Sequence, residues 1–124
     1  MRKLDGYRVV RTQFRHTSLD AEGWSLKQTV PGFVGVSCVK RPLEGPAGAE
    51  GAAQVLQAIY ADGLTYVSIF IEPYDPQRHK RTMQTTIGAT RTMMMRRGDV
   101  WITFVGDVPK DTLAAFASAL ERKN

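Results

Sequence analysis

The sequence predicts an α+β domain: a curved antiparallel β-sheet of about five to six strands with a C-terminal helix packed on one face. Three observations predict it. β-Branched and aromatic residues gather in short runs separated by Gly, Pro and Asp. Two of the breaks, Asp62-Gly63 and Arg97-Gly98-Asp99, each stand between two apolar-rich runs and so predict hairpins. Near the C-terminus, from about Pro109 to Arg122, the apolar spacing becomes helical.

Taken in order, Tyr7 to Phe14 reads as a strand, and His16 to Gly23 is polar and turn-like. Trp24 to Gln28 alternates as a half-buried strand should, and Pro31-Gly32 breaks the chain. Phe33 to Val39 alternates again, with Val34, Val36 and Cys38 on one face. Pro42 to Gly51 is a Gly- and Pro-containing loop. Ala53 to Tyr60 and Leu64 to Glu72 form the first hairpin, with both central residues of its Asp-Gly turn able to take positive φ. A helix over Ala52 to Tyr60 is the competing reading, since Ala, Leu and Gln favour one. In the second run Thr65, Val67, Ile69 and Ile71 are the more uniformly branched set and are assigned to the core. Pro73 to Arg81 is a loop, and Thr82 to Thr86 fits either strand or loop. Ala89 to Arg96 and Val100 to Val105 form the second hairpin, the latter a central strand. In the helix, Pro109 suits the first position, Asp111 and Arg122 complement the dipole, and Leu113, Phe116, Ala117 and Leu120 form one apolar face.

The chain has 124 residues, 43% hydrophobic and 23% charged, which suits one compact domain. Within it, residues 1–23 read as an N-terminal strand and interdomain segment, and 24–124 as the domain proper. Cys38 is the single cysteine, so no internal disulfide can form. No apolar run is long enough to span a membrane. Met1 to Gly6 lacks the apolar segment of a signal peptide, so the chain is either not exported or a piece of a longer exported protein. A net charge of +5 favours acidic partners, among them nucleic acid, anionic lipid and acidic peptide.

The residues do not spell out catalysis. His16 and His79 lack partners at metal-ligand spacing, so neither a metal nor a cofactor is expected. Cys38 sits in an alternating strand, as a small buried hydrophobe does. Glu72 and Asp75 flank Pro73 in a loop, where solvation is the simpler reading than an acid/base pair. Met93-Met94-Met95 offers an adaptable apolar surface, or core residues with an exposed neighbour. The clustered cations Arg78, Lys80, Arg81, Arg91, Arg96 and Arg97 are the candidate partner-binding residues. With Tyr74 nearby they also suit a basic nucleic-acid-binding domain, the alternative function.

Several segments, in order, resemble the C-terminal domain of the MucB/RseB family. They are Trp24 with Pro31-Gly32-Phe33, Lys40-Arg41-Pro42-Leu43, Tyr60-Ala61-Asp62-Gly63-Leu64, Val67 to Pro73, Gly88-Ala89-Thr90, and Val105-Gly106-Asp107-Val108-Pro109 with Thr112. The resemblance runs from about Trp24 to Leu120. It implies a non-enzymatic, periplasmic regulator of the envelope-stress sigma factor, sigma-E. Such a protein binds the periplasmic part of a membrane-spanning anti-sigma factor and shields it from proteolysis. It also implies a larger N-terminal domain through which lipid or lipopolysaccharide signals act.

Overall fold

The structure, a computed structural model, describes residues 15–42, 54–75, 83–87 and 90–122. The strand expected over Tyr7 to Phe14 lies outside them, as do most of the two expected loops. Nine strands and one α-helix are present among the described residues. They are β1 (Arg15–His16), β2 (Trp24–Leu26), β3 (Val34–Pro42), β4 (Gln54–Ala61), β5 (Tyr66–Pro73), β6 (Met83–Ile87), β7 (Thr90–Arg97), β8 (Val100–Gly106), α1 (Lys110–Ala119) and β9 (Leu120–Arg122).

Seven strands form one open antiparallel sheet in the order β1-β3-β4-β5-β8-β7-β6. Of these, β1 is only two residues long, so six strands carry the sheet. The expected α+β architecture with one C-terminal helix is the observed one. Residues 54–61, which also fitted a helix, are strand β4, because Leu56 and Ala58 must alternate onto the core face beside β5. Of the segment Thr82 to Thr86, Met83 to Thr86 belong to strand β6, and Thr82 lies outside the described residues.

Alternation divides the sheet. Leu56, Ile71, Ile102 and Met95 stand in register on the helix-covered face, with Ala58, Ile69, Phe104 and Met93 beside them. Nearly all of these are buried in one core cluster, with Met95 half-buried against it. The expected core set on β5 is therefore correct at Val67, Ile69 and Ile71. Helix α1 presents Leu113, Phe116 and Ala117 to this face. Phe116 is fully buried, its ring 5.4 Å from that of Phe33 and 5.3 Å from that of Tyr60. Burying such a ring contributes roughly 1.5–3 kcal/mol.

Three expectations are corrected. The helix stops at Ala119 rather than Arg122: Leu120 is extended, and Leu120–Arg122 pairs with β2 as a separate two-stranded ribbon. Leu, Glu and Arg favour a helix, but pairing with Trp24–Leu26 outweighs that small preference. Pro109 is the N-cap, not the first helical residue, with ψ 154° and its carbonyl accepting from the N–H of Thr112. The β4–β5 turn is a four-residue loop between the paired Ala61 and Tyr66. In it Gly63 holds φ +96°, and Asp62 Oδ1 accepts the N–H groups of Leu64 and Thr65, both at 2.9 Å. Those two N–H groups hold the Asp62 carboxyl below its usual range.

Candidate partner-binding surface

Arg78, Lys80 and Arg81 lie outside the described residues. Arg91, Arg96 and Arg97 all stand on β7, but not together. Successive strand residues face opposite ways, so the neighbours Arg96 and Arg97 point to opposite sides of the sheet. Arg96 is in register with Trp101 on the face away from α1. Arg91 and Arg97 share the helix-covered face with Met93 and Met95.

Arg97 spends its guanidinium on the end of α1. Nη1 donates to the carbonyl of Leu120 at 2.6 Å, and Nη2 donates to that of Ala117. The last helical turn contains no basic residue of its own, so a cation from the β7–β8 hairpin meets part-buried carbonyls at the helix end. The N–H of Lys27 donates to the Ala119 carbonyl at 2.7 Å, and that of Leu120 to Phe116.

Arg96 is exposed and lies over the ring of Tyr74, with its guanidinium carbon 4.0 Å from the ring centroid. Its Nε donates to the carbonyl of Gly98 at 2.9 Å. Beneath, Tyr74 tilts against Trp101 with centroids 6.1 Å apart. Trp101 is only 4% exposed, and Arg96 covers Tyr74, so neither ring is an open platform on which a base would stack. The result is a layered Trp101–Tyr74–Arg96 stack that presents a cation at the surface. Met94 lies on this same face, while Met93 is buried and Met95 packs against the core, so the methionine run is divided in the same manner.

On the helix-covered side a cavity of about 300 Å³ opens between β3, β4 and the segment before β2. Leu19, Gly35, Cys38, Ala58 and Tyr60 line it. Burial pushes the Cys38 thiol up, with a further rise from the Glu22 carboxylate, which disfavours the thiolate a nucleophile needs. Burial likewise raises Tyr60. Glu22 is held down by hydrogen bonds from Lys40 and Thr17, and the Lys40–Glu22 ion pair at 2.8 Å ties the turn at Asp20–Glu22 to β3. His16 is paired in the backbone with Val39, one position along from Cys38. No cluster of His, Cys, Asp and Glu suited to a metal occurs among the described residues. Among them no helix is long and apolar enough to cross a membrane.

Val34, Val36, Leu64 and Tyr66 are the exposed large hydrophobics among the described residues. Val34 and Tyr66 both pair with Ala61, and Leu64 is in the adjoining turn, so they mark one end of the sheet. Sequence reasoning did not single these out, although the Asp62-Gly63 turn with Leu64 after it was visible.

No curated protein matches the chain in a sequence comparison. Solved structures do. The crystal structure of MucB in complex with MucA(peri) is similar with a TM-score of 0.65 and 25% identity, over 82% of this chain and 37% of that one. The MucA/MucB complex structure from Pseudomonas aeruginosa is similar with a TM-score of 0.64 and 25% identity, over 82% of this chain and 35% of that one. The chain thus spans little more than a third of those proteins' length. The family model of the MucB/RseB C-terminal domain matches residues 18–121. The segments that carried the resemblance fall within that stretch, and the chain belongs to the MucB/RseB C-terminal domain family.

Proposed function

We propose that this chain is a non-enzymatic binding domain of a sigma-E envelope-stress pathway. It acts in the periplasm as the C-terminal part of a longer protein, and helps to hold the periplasmic part of a membrane-spanning anti-sigma factor away from proteases. The observation that carries the reading is family membership over residues 18–121, joined to a likeness to MucB solved with MucA(peri). Burial raises the Cys38 thiol, which argues against a nucleophilic role for that residue. In this reading residues 1–23 lead in from a preceding domain, where lipid or lipopolysaccharide would act, and 24–124 is the domain proper. The partner-facing cations are Arg78, Lys80, Arg81, Arg91 and Arg96. Arg97 contributes to that surface by fixing the hairpin that carries Arg96.

Calorimetric titration with the periplasmic segment of the cognate anti-sigma factor tests this. Saturable binding at about micromolar affinity or tighter is expected at physiological salt. Absence of binding both by this chain and by the full-length protein would overturn the proposal. A steep linear fall of nucleic-acid affinity with log salt would instead favour the nucleic-acid alternative.

A further inference from the structure

The two edges of the sheet are built differently. At one edge, β3 carries a register shift between Gly35 and Ser37, then Lys40, Arg41 and Pro42, and is partly covered by the two-residue β1. A bulge, charges, a proline and a short covering strand are the devices by which edges avoid pairing with another chain. At the other edge, β6 pairs with β7 in unbroken register from Met83↔Met94 to Ile87↔Thr90. Its sequence, Met83-Gln84-Thr85-Thr86-Ile87, contains no charge, proline or glycine. Among the described residues its far side has no strand partner. Among the described residues, then, nothing covers this edge, and its outward row of backbone N–H and C=O groups can accept a further strand.

We infer that β6 is where the partner docks, by adding an extended, acid-bearing segment of the anti-sigma factor as a further strand of the sheet. The inference rests on the proposed function and specifies its binding mode. Backbone hydrogen bonding selects an extended peptide as the occupant. Charge selects an acidic one. The strand beside the edge carries Arg91 and Arg96, and Arg91, in register with Thr86, has no ion-pair partner among the described residues. In sequence Arg78-His79-Lys80-Arg81 is separated from β6 by Thr82 alone, and the chain's net charge is +5. The opposite edge also has cations, Arg15, Lys40 and Arg41, of which Lys40 is paired with Glu22; there the bulge, Pro42 and β1 are what oppose strand addition.

The test is amide hydrogen exchange, residue by residue, on this chain with and without the periplasmic anti-sigma segment. Alternate amides in Met83–Ile87 are expected to gain at least tenfold protection on binding, since successive N–H groups of a strand point to opposite sides. Two proline variants supply an independent readout. Of Thr85→Pro and Thr86→Pro, one removes an N–H directed at β7 and weakens the fold. The other removes an N–H directed at the open edge; it is expected to stay folded and bind at least tenfold more weakly. Saturable binding with unchanged exchange in β6 overturns the docking site while leaving the proposed function intact. Absence of any binding, in this chain and in the full-length protein, overturns both. Protection of β6 that appears without partner and grows with protein concentration assigns the edge to a second copy of the chain, and likewise overturns the inference.

Discussion

The guanidinium of Arg97 donates from Nη1 to the carbonyl of Leu120 at 2.6 Å, so a hairpin residue closes the end of a helix that begins after it in the chain. Hydrogen bonds from a charged donor stabilise by about 1.5–3 kcal/mol, and their loss here leaves part-buried carbonyls unmet. Arg97→Ala is expected to lower unfolding free energy by about 2 kcal/mol, with Arg97→Lys recovering only part, because an ammonium cannot span two carbonyls as the fork does. Urea unfolding measures it. A loss below about 0.5 kcal/mol, the usual range for surface changes, would contradict the capping role.

Arg96 differs from its neighbour in being exposed over Tyr74 on the opposite face. Arg96→Glu is expected to leave stability nearly unchanged and weaken binding of the anti-sigma segment roughly three- to tenfold, more at low salt than at high. Arg91→Glu should act in the same direction. Calorimetry at two salt concentrations separates the charge effect from misfolding. Unchanged affinity in both variants would remove these cations from the interface.

Gly106 is required by close packing between strands. A Cβ built there would meet the backbone oxygen of Tyr66 at 2.8 Å and a methyl of Val67 at 3.1 Å. Backbone cannot swing aside as a flexible side chain can, so Gly106→Ala is expected to destabilise by about 1–3 kcal/mol. Thermal unfolding followed by circular dichroism measures it. A stability equal to that of the parent chain would show that β5 and β8 separate without cost.

The Glu22 carboxyl is lowered by its hydrogen bond from Lys40, then by that from Thr17. A carboxyl whose folded pKa is depressed contributes stability above its unfolded value, near 4.3, and loses it as pH falls through the folded value. The attachment of the Asp20–Glu22 turn to β3 is therefore expected to be intact at pH 7 and to loosen below about pH 4. Amide exchange of Glu22, Gly23 and Trp24, whose N–H groups bond within this segment, should accelerate there beyond the intrinsic pH effect. Glu22→Gln should remove that extra pH dependence. Persistence of the extra dependence in the variant would assign it to another group.

Much of the sheet was legible because burial imposes a period of two on strands. Val67, Ile69 and Ile71 could be assigned to the core from alternation, and the Arg97-Gly98-Asp99 turn from its glycine, which holds φ +60°. The same period also carried an unused signal about the candidate site. Arg97 has the parity of Met93 and Met95, so a core-facing role for it could have been read from the strand. Clustering along the chain suggested one cationic surface, whereas alternation places Arg96 and Arg97 on opposite faces.

By itself the sequence determined the strand and helix pattern, the hairpin turns and, through its ordered motifs, the MucB/RseB family. These are encoded by residues a few positions apart, where periodicity and turn chemistry act. Only the tertiary structure decided that residues 120–122 leave the helix to pair with Trp24–Leu26, that Arg97 caps α1, and that β6 ends the sheet among the described residues. Each depends on groups far apart in the chain, 23 positions in the case of Arg97 and Leu120. Local preferences of a few tenths of a kcal/mol per residue cannot specify such contacts, because pairing and burial are worth more once the fold brings the groups together.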